Sequence, residues 1–137
     1  MNYASFWSRF LALLLDTIIL YILGFMAGAL VGYLFAASTG STTGIEALGF
    51  LVGVVVGWLY YALSESSLKQ ATLGKQALGI VVTDLNGSRI SFGKATGRYF
   101  GKYLSAITLL IGYLMAAFTE KNQALHDIIA ATIVVKK

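Results

Sequence analysis

The sequence predicts an all-α integral membrane helical bundle with a small cytoplasmic β element, and three observations predict it. Hydrophobic residues make up 58% of the 137 residues and charged residues only 12%, with a mean hydropathy of +0.78, too little charge to cover a soluble domain. Two runs, residues 17–37 and 45–63, are each long enough to cross a hydrocarbon core of about 30 Å, the second carrying only Glu46 at its mouth. Residues 77–85 are rich in β-branched side chains and lead into Asn86-Gly87, a hairpin signal. The chain reads as a single membrane domain, 1–137, with no room for a separate soluble one.

The first helix is expected to begin near Ser5, with a tilted or interfacial first turn. Residues 38–44 form a polar turn without a basic residue, and the second span ends in Trp58, Tyr60 and Tyr61, which suit an interface belt. Residues 64–102, by contrast, hold Lys69, Lys75, Arg89, Lys94, Arg98 and Lys102. The positive-inside rule therefore places the first turn outside the cell membrane and the N-terminus and long segment in the cytoplasm. Residues 77–85 and 88–92 would pair through a type I′ turn at Asn86-Gly87, and residues 131–135 read as a third strand. If that tail joins the sheet, the C-terminus is cytoplasmic as well.

Residues 93–118 then pose a counting problem, since one further crossing would put the tail outside. Two shorter helices are expected instead, a basic amphipathic piece over 91–105 and a returning piece over 107–118, with a single third span as the alternative. Lys94, Arg98 and Lys102 recur every four residues and form one stripe, suited to anionic lipid headgroups. A cleaved signal peptide fits poorly: the apolar run is long, Asp16 interrupts it, and no separate basic leader precedes it.

Glycine recurs at the same interval in three places: Gly24, Gly28 and Gly32; Gly49, Gly53 and Gly57; and Gly93, Gly97 and Gly101. Each ladder allows a helix to approach closely, either within the chain, the favoured reading, or between copies in a homo-oligomer.

Arg9 and Asp16 lie on one face of the first helix, about two turns apart. A carboxylate within a span costs roughly 2.5–3.5 kcal/mol on insertion scales, so Asp16 is expected to face a partner: Arg9, the basic middle segment or a bound cation. A structural ion pair and a role with a proton or monovalent cation both stay open. Arg9 itself reads equally as a residue snorkelling to the interface. His126-Asp127 reads as a proton-relay pair or as a helix cap beside an incidental histidine. Without cysteine or a second histidine no zinc site can be completed, and no metal or cofactor is expected. Thr72-Leu73-Gly74-Lys75 lacks the spacing of a phosphate loop, and Asn86-Gly87-Ser88 is better explained as a turn than as a glycosylation site. No nucleophile arrangement can be assembled, so no enzyme is expected, and a membrane setting disfavours nucleic acid as the partner of the basic stripe.

Several motifs together resemble the RDD family of membrane proteins, named for one arginine and two aspartates. Ala4-Ser5-Phe6-Trp7-Ser8-Arg9-Phe10-Leu11-Ala12 with Asp16 resembles its first-helix motif. Glu65-Ser66-Ser67, Thr72-Leu73-Gly74-Lys75 and Leu78-Gly79 resemble its central motif. Leu125-His126-Asp127 with Ala130-Ala131-Thr132 resembles its C-terminal motif, where glycine is more usual than Ala131. The resemblance implies Arg9, Asp16 and Asp127 as the namesake residues, Glu65, Thr72, Gly74 and Lys75 as supporting ones, and transport as an activity, in some members cation/proton antiport. Two functions follow as expectations: a small, oligomeric cation/proton exchanger using Asp16 with Arg9 and Asp127, or a structural or regulatory membrane module that binds a partner protein or anionic lipid.

Overall fold

The structure is a computed structural model that describes residues 2–107 and 111–137. Helix α1 runs over Phe6–Thr39. Ser5 caps its start, its hydroxyl accepting the Ser8 amide at 3.1 Å, and Gly40 ends it in the left-handed region at φ +69°. Helix α2 spans Ile45–Glu65. The two form an antiparallel hairpin, Gly32 lying against Ile45 and Asp16 against Tyr60. Both are long and apolar enough to cross a membrane. They expose large apolar side chains outward, Phe25 being 78% exposed and Phe50 68%, surface that lipid rather than water suits.

At 34 residues α1 is about 51 Å long, well over the hydrocarbon thickness. Its first turns therefore overhang the region it shares with α2, and the rest of the chain packs around that end. Short helix α3 (Leu73–Ala77) leads to strand β1 (Ile80–Asp84). Helix α4 (Phe92–Ile107) lies along the last turns of α2. Helix α5 (Ile111–Leu114) and a 3₁₀ turn over Met115–Ala117 lead to helix α6 (Leu125–Ile129) and strand β2 (Thr132–Lys136). β1 and β2 pair antiparallel with Val82 opposite Val134. The N-terminus closes the far edge of β2: Tyr3 bridges Val135, the Ala4 amide donates to the Val134 carbonyl, and the Lys136 amide to that of Asn2. Both chain ends thus sit together. The buried core joins Ile80, Val82, Ile90 and Val134 to Ala4, Ala12, Ala62 and Ala95, the small side chains letting sheet and helices approach.

Four sequence expectations change. The hairpin return over 88–92 is not a strand. Asn86 does not take the positive φ that a type I′ turn needs, and the Asp84 carboxylate instead accepts the Asn86 and Ser88 amides in a tight loop that sends Ile90 into the core. β1 pairs with the chain's tail instead. The basic stripe of α4 faces inward: Arg98 is 1% exposed and Lys102 9%, and only Lys94 is partly exposed, so the stripe is not a surface for headgroups. The aromatics at the end of α2 do not form an interface belt. Tyr61 is buried, Trp58 donates to Thr96, and Tyr60 donates to Asp16. Of the glycine ladders, Gly32, Gly57, Gly93 and Gly101 meet atoms of the same chain, whereas Gly24, Gly28, Gly49, Gly53 and Gly97 face open space. The favoured intramolecular packing therefore accounts for only part of the pattern. The returning piece expected over 107–118 resolves into α5 and the 3₁₀ turn, its stretch 108–110 lying outside the described residues.

A buried charge network at the overhanging end of the hairpin

Two side-chain systems occupy the end of the hairpin where the sheet docks. In the first, Asp16 is wholly buried and accepts from neutral donors. Tyr60 donates to its Oδ1 at 2.7 Å, the Gly74 amide to the same oxygen at 2.9 Å, and the Thr72 hydroxyl to Oδ2 at 2.6 Å. Thr72 is the N-cap of α3, its hydroxyl accepting the Lys75 amide, so Asp16 fixes the start of α3 against α1. Gly74 is required there. A Cβ on it would collide with the Ala12 carbonyl oxygen and come within 2.7 Å of Asp16 Oδ1. Arg9, one of the three partners the sequence offers Asp16, pairs with Asp127 instead.

In the second system Arg98 is the hub. Its Nη1 donates to both oxygens of Glu65, at 2.8 and 2.6 Å. Its Nη2 and Nε donate to Asp127 Oδ1 at 2.6 and 2.9 Å, and Nε also reaches the Thr132 hydroxyl at 3.2 Å. One guanidinium thereby joins the end of α2 to α6, from α4. Lys75 adds an ion pair to Glu65 at 3.2 Å, and Arg9 pairs with the other oxygen of Asp127 while donating to the Asn122 carbonyl at 3.1 Å. Asp127 also accepts the Ala124 amide at 3.0 Å, capping α6, so the cap expected of this residue and its charge pairing coexist. Every oxygen of the two carboxylates is occupied, which is the condition for burying them.

The electrostatics follow from this geometry. Burial alone would raise the pKa of Asp127, but Arg9 and then Arg98 overcome it and hold the carboxyl well below its ordinary value. His126 is buried beside the Tyr113 ring, ring centroids 5.2 Å apart. Burial pushes its pKa well down; Asp127 opposes this, and Arg98, Lys102 and Arg9 add to it. Its Nε2 lies 3.5 Å from Arg9 Nη2, where a neutral imidazole nitrogen accepts a hydrogen bond. Lys102 places its ammonium over the Tyr61 ring, 3.1 Å from the centroid. Burial lowers its pKa well below the ordinary lysine value, with Glu65 and Asp16 opposing and Lys75 and Arg98 reinforcing.

Of the residues singled out in the sequence, Arg9, His126, Asp127, Glu65 and Lys75 come together in one network. Asp16, Thr72 and Gly74 form the neighbouring one, linked through α3, which carries Lys75. Sequence reasoning assigned Arg98 to the surface and so missed the hub. A signal existed: Glu65 closes a long span and needs a cation, and the nearest basic residues in an amphipathic helix are Lys94, Arg98 and Lys102.

Fold and site define a small, mostly helical protein with two helices long and apolar enough to cross a membrane, in which a buried arginine–carboxylate network fastens a sheet-bearing end to a helical hairpin. A family model described as "RDD family" matches residues 3–131, and the chain belongs to that family. It is 38% identical to the uncharacterized protein YxaI of Bacillus subtilis (strain 168), across 98% of this chain and 97% of that protein. It is 34% identical to the uncharacterized membrane protein YteJ of the same organism, across 97% of this chain and 80% of that one. No solved structure matches.

Proposed function

We propose that the protein is a membrane-embedded binding module, its N- and C-termini in the cytoplasm, whose charged residues hold the sheet-bearing end in one conformation rather than exchange ions. The saturation of Glu65 and Asp127 by Arg98, Arg9 and Lys75 carries this reading. An exchanger needs a carboxylate that releases its partners and takes up a cation, and two of the three here are clamped by arginine. The orientation rests on Lys69, Arg89, Lys121, Lys136 and Lys137, all exposed at the sheet-bearing end, against a 40–44 turn without a basic residue. Open faces at Gly24, Gly28, Gly49 and Gly53 leave room for a second copy.

Cation/proton antiport is the second reading, and one observation favours it: Asp16 is a buried carboxylate whose hydrogen-bond donors are all neutral. Proteoliposomes separate the two. With a sodium or potassium gradient imposed, the module is expected to leave internal pH where empty vesicles leave it. Cation-dependent proton movement that disappears in Asp16→Asn would establish the exchanger instead.

A further inference from the structure

A cavity of about 350 Å³ lies between the first turns of α1, helix α4 and the 3₁₀ turn. Its lining includes Arg9, Lys75, Arg98, Lys102 and His126, and no acidic side chain among the described residues; Asp16, Glu65 and Asp127 sit behind it. Arg9, Lys75 and Arg98 balance these three carboxylates, so a proton held by Lys102 is positive charge in excess beside the cavity. Lys102 is the member with capacity to spare. It is 91% buried by its 9% exposure, it lines the cavity, and among the described residues its ammonium touches the Tyr61 ring and no hydrogen-bond acceptor. Burial of the side chain opposes its charge, and an anionic acceptor arriving in the cavity favours the protonated form.

The remaining walls are apolar, with Phe6, Phe10, Leu13 and Leu114 among them, and Phe10 and Leu114 reach the outside at 39% and 46% exposure. A free inorganic anion finds no complement in such walls. An amphiphile does, with its charged group on the basic floor and its chains along the aromatic lip. We propose that this cavity is a binding site for the phosphate headgroup of an anionic lipid, held by Lys102 and Arg9, with the acyl chains leaving past Phe10 and Leu114. The site is not the outward stripe the sequence suggested: Lys94, the half-buried member of that stripe, takes no part. Phosphate is a strong acceptor for charge-assisted hydrogen bonds, and its arrival gives Lys102 the partner that burial withholds. The assignment rests on the module reading and names its ligand.

Delipidated protein in a mild detergent, titrated with phosphatidylglycerol, phosphatidylcholine or inorganic phosphate and read by native mass spectrometry, tests this. Phosphatidylglycerol is expected to bind in preference to phosphatidylcholine, with Lys102→Met weakening it about tenfold, Lys102→Arg retaining most of the affinity and Lys94→Met changing nothing. Equal binding of the two lipids, or an unaltered affinity in folded Lys102→Met, would overturn the site. Displacement of the lipid by inorganic phosphate at similar concentration would overturn the lipid assignment in favour of a soluble anion. Should Lys102→Met not fold, a photoreactive phosphatidylglycerol on the wild type is expected to label Phe10 or Leu114, and labelling confined to the outer faces of α1 and α2 contradicts the proposal. Ion flux with headgroup preference intact sinks the module reading alone; no flux and no preference sinks the lipid site alone.

Discussion

Ala131 holds φ at +54°, a left-handed conformation that costs an L-residue roughly 1–2 kcal/mol and glycine almost nothing. It turns the chain from α6 into β2, a position whose backbone conformation suits glycine better than alanine. Ala131→Gly is expected to raise stability by roughly 0.5–1 kcal/mol, the strain relieved exceeding the added freedom of the unfolded chain, as read from thermal unfolding in detergent. Gly74→Ala should act in the opposite direction, lowering stability by about 1–3 kcal/mol, because the Ala12 carbonyl that its Cβ would strike is helix backbone and cannot step aside. An unchanged unfolding midpoint in Gly74→Ala would mean that α3 does not dock on α1 in this way. Residue identity made the special status of Arg9, Asp16 and Asp127 legible, since charge in an apolar chain is conspicuous. Their partners were not, because sequence spacing constrains neighbours on one helix and says nothing of the residue that arrives from another.

At the scale of elements, the two long helices and the amphipathic α4 were readable from hydropathy and period, and the capping Ser5 and Gly40 set the ends of α1. The four-residue recurrence of Lys94, Arg98 and Lys102 was read correctly as one face and placed on the wrong side, since period fixes a face but not its direction. The sheet misled for a related reason. An Asn-Gly turn between β-prone runs is a strong local signal, and here the tail and the N-terminus outcompete the local return. The junction of α6 with these elements carries a pH dependence. His126 is held neutral by burial, so the unfolded chain takes up a proton that the folded one refuses, and stability falls as pH drops through the ordinary histidine value of 6.5. The Asp127 carboxyl is depressed, so its contribution is complete above the ordinary value of 3.8 and is lost as pH falls below it. Thermal unfolding between pH 7 and 5 is therefore expected to show a decline that His126→Asn abolishes. An equal decline in the variant would assign it to another group.

Taken as a whole molecule, the protein divides its surface by solvent. The hairpin presents apolar side chains along its length, while one end gathers the sheet, the ion pairs and most exposed lysines. That division explains why composition alone announced a membrane protein and could not announce its function: hydropathy reports the solvent of a segment, whereas function depends on which few polar groups meet. Arg98 is where they meet, and removing it takes from each of two buried carboxylates one of its two cations, at a cost of about 3–5 kcal/mol. The most direct measurement is a double-mutant cycle in detergent using Arg98→Met, Glu65→Gln and the combined variant, read as apparent unfolding free energy. The double variant is expected to lose less than the sum of the single losses, by roughly 0.5–3 kcal/mol, because the second substitution removes a group that the first has already deprived of its main partner. Strict additivity would mean that the two side chains do not meet, and the network at the centre of this molecule would not exist.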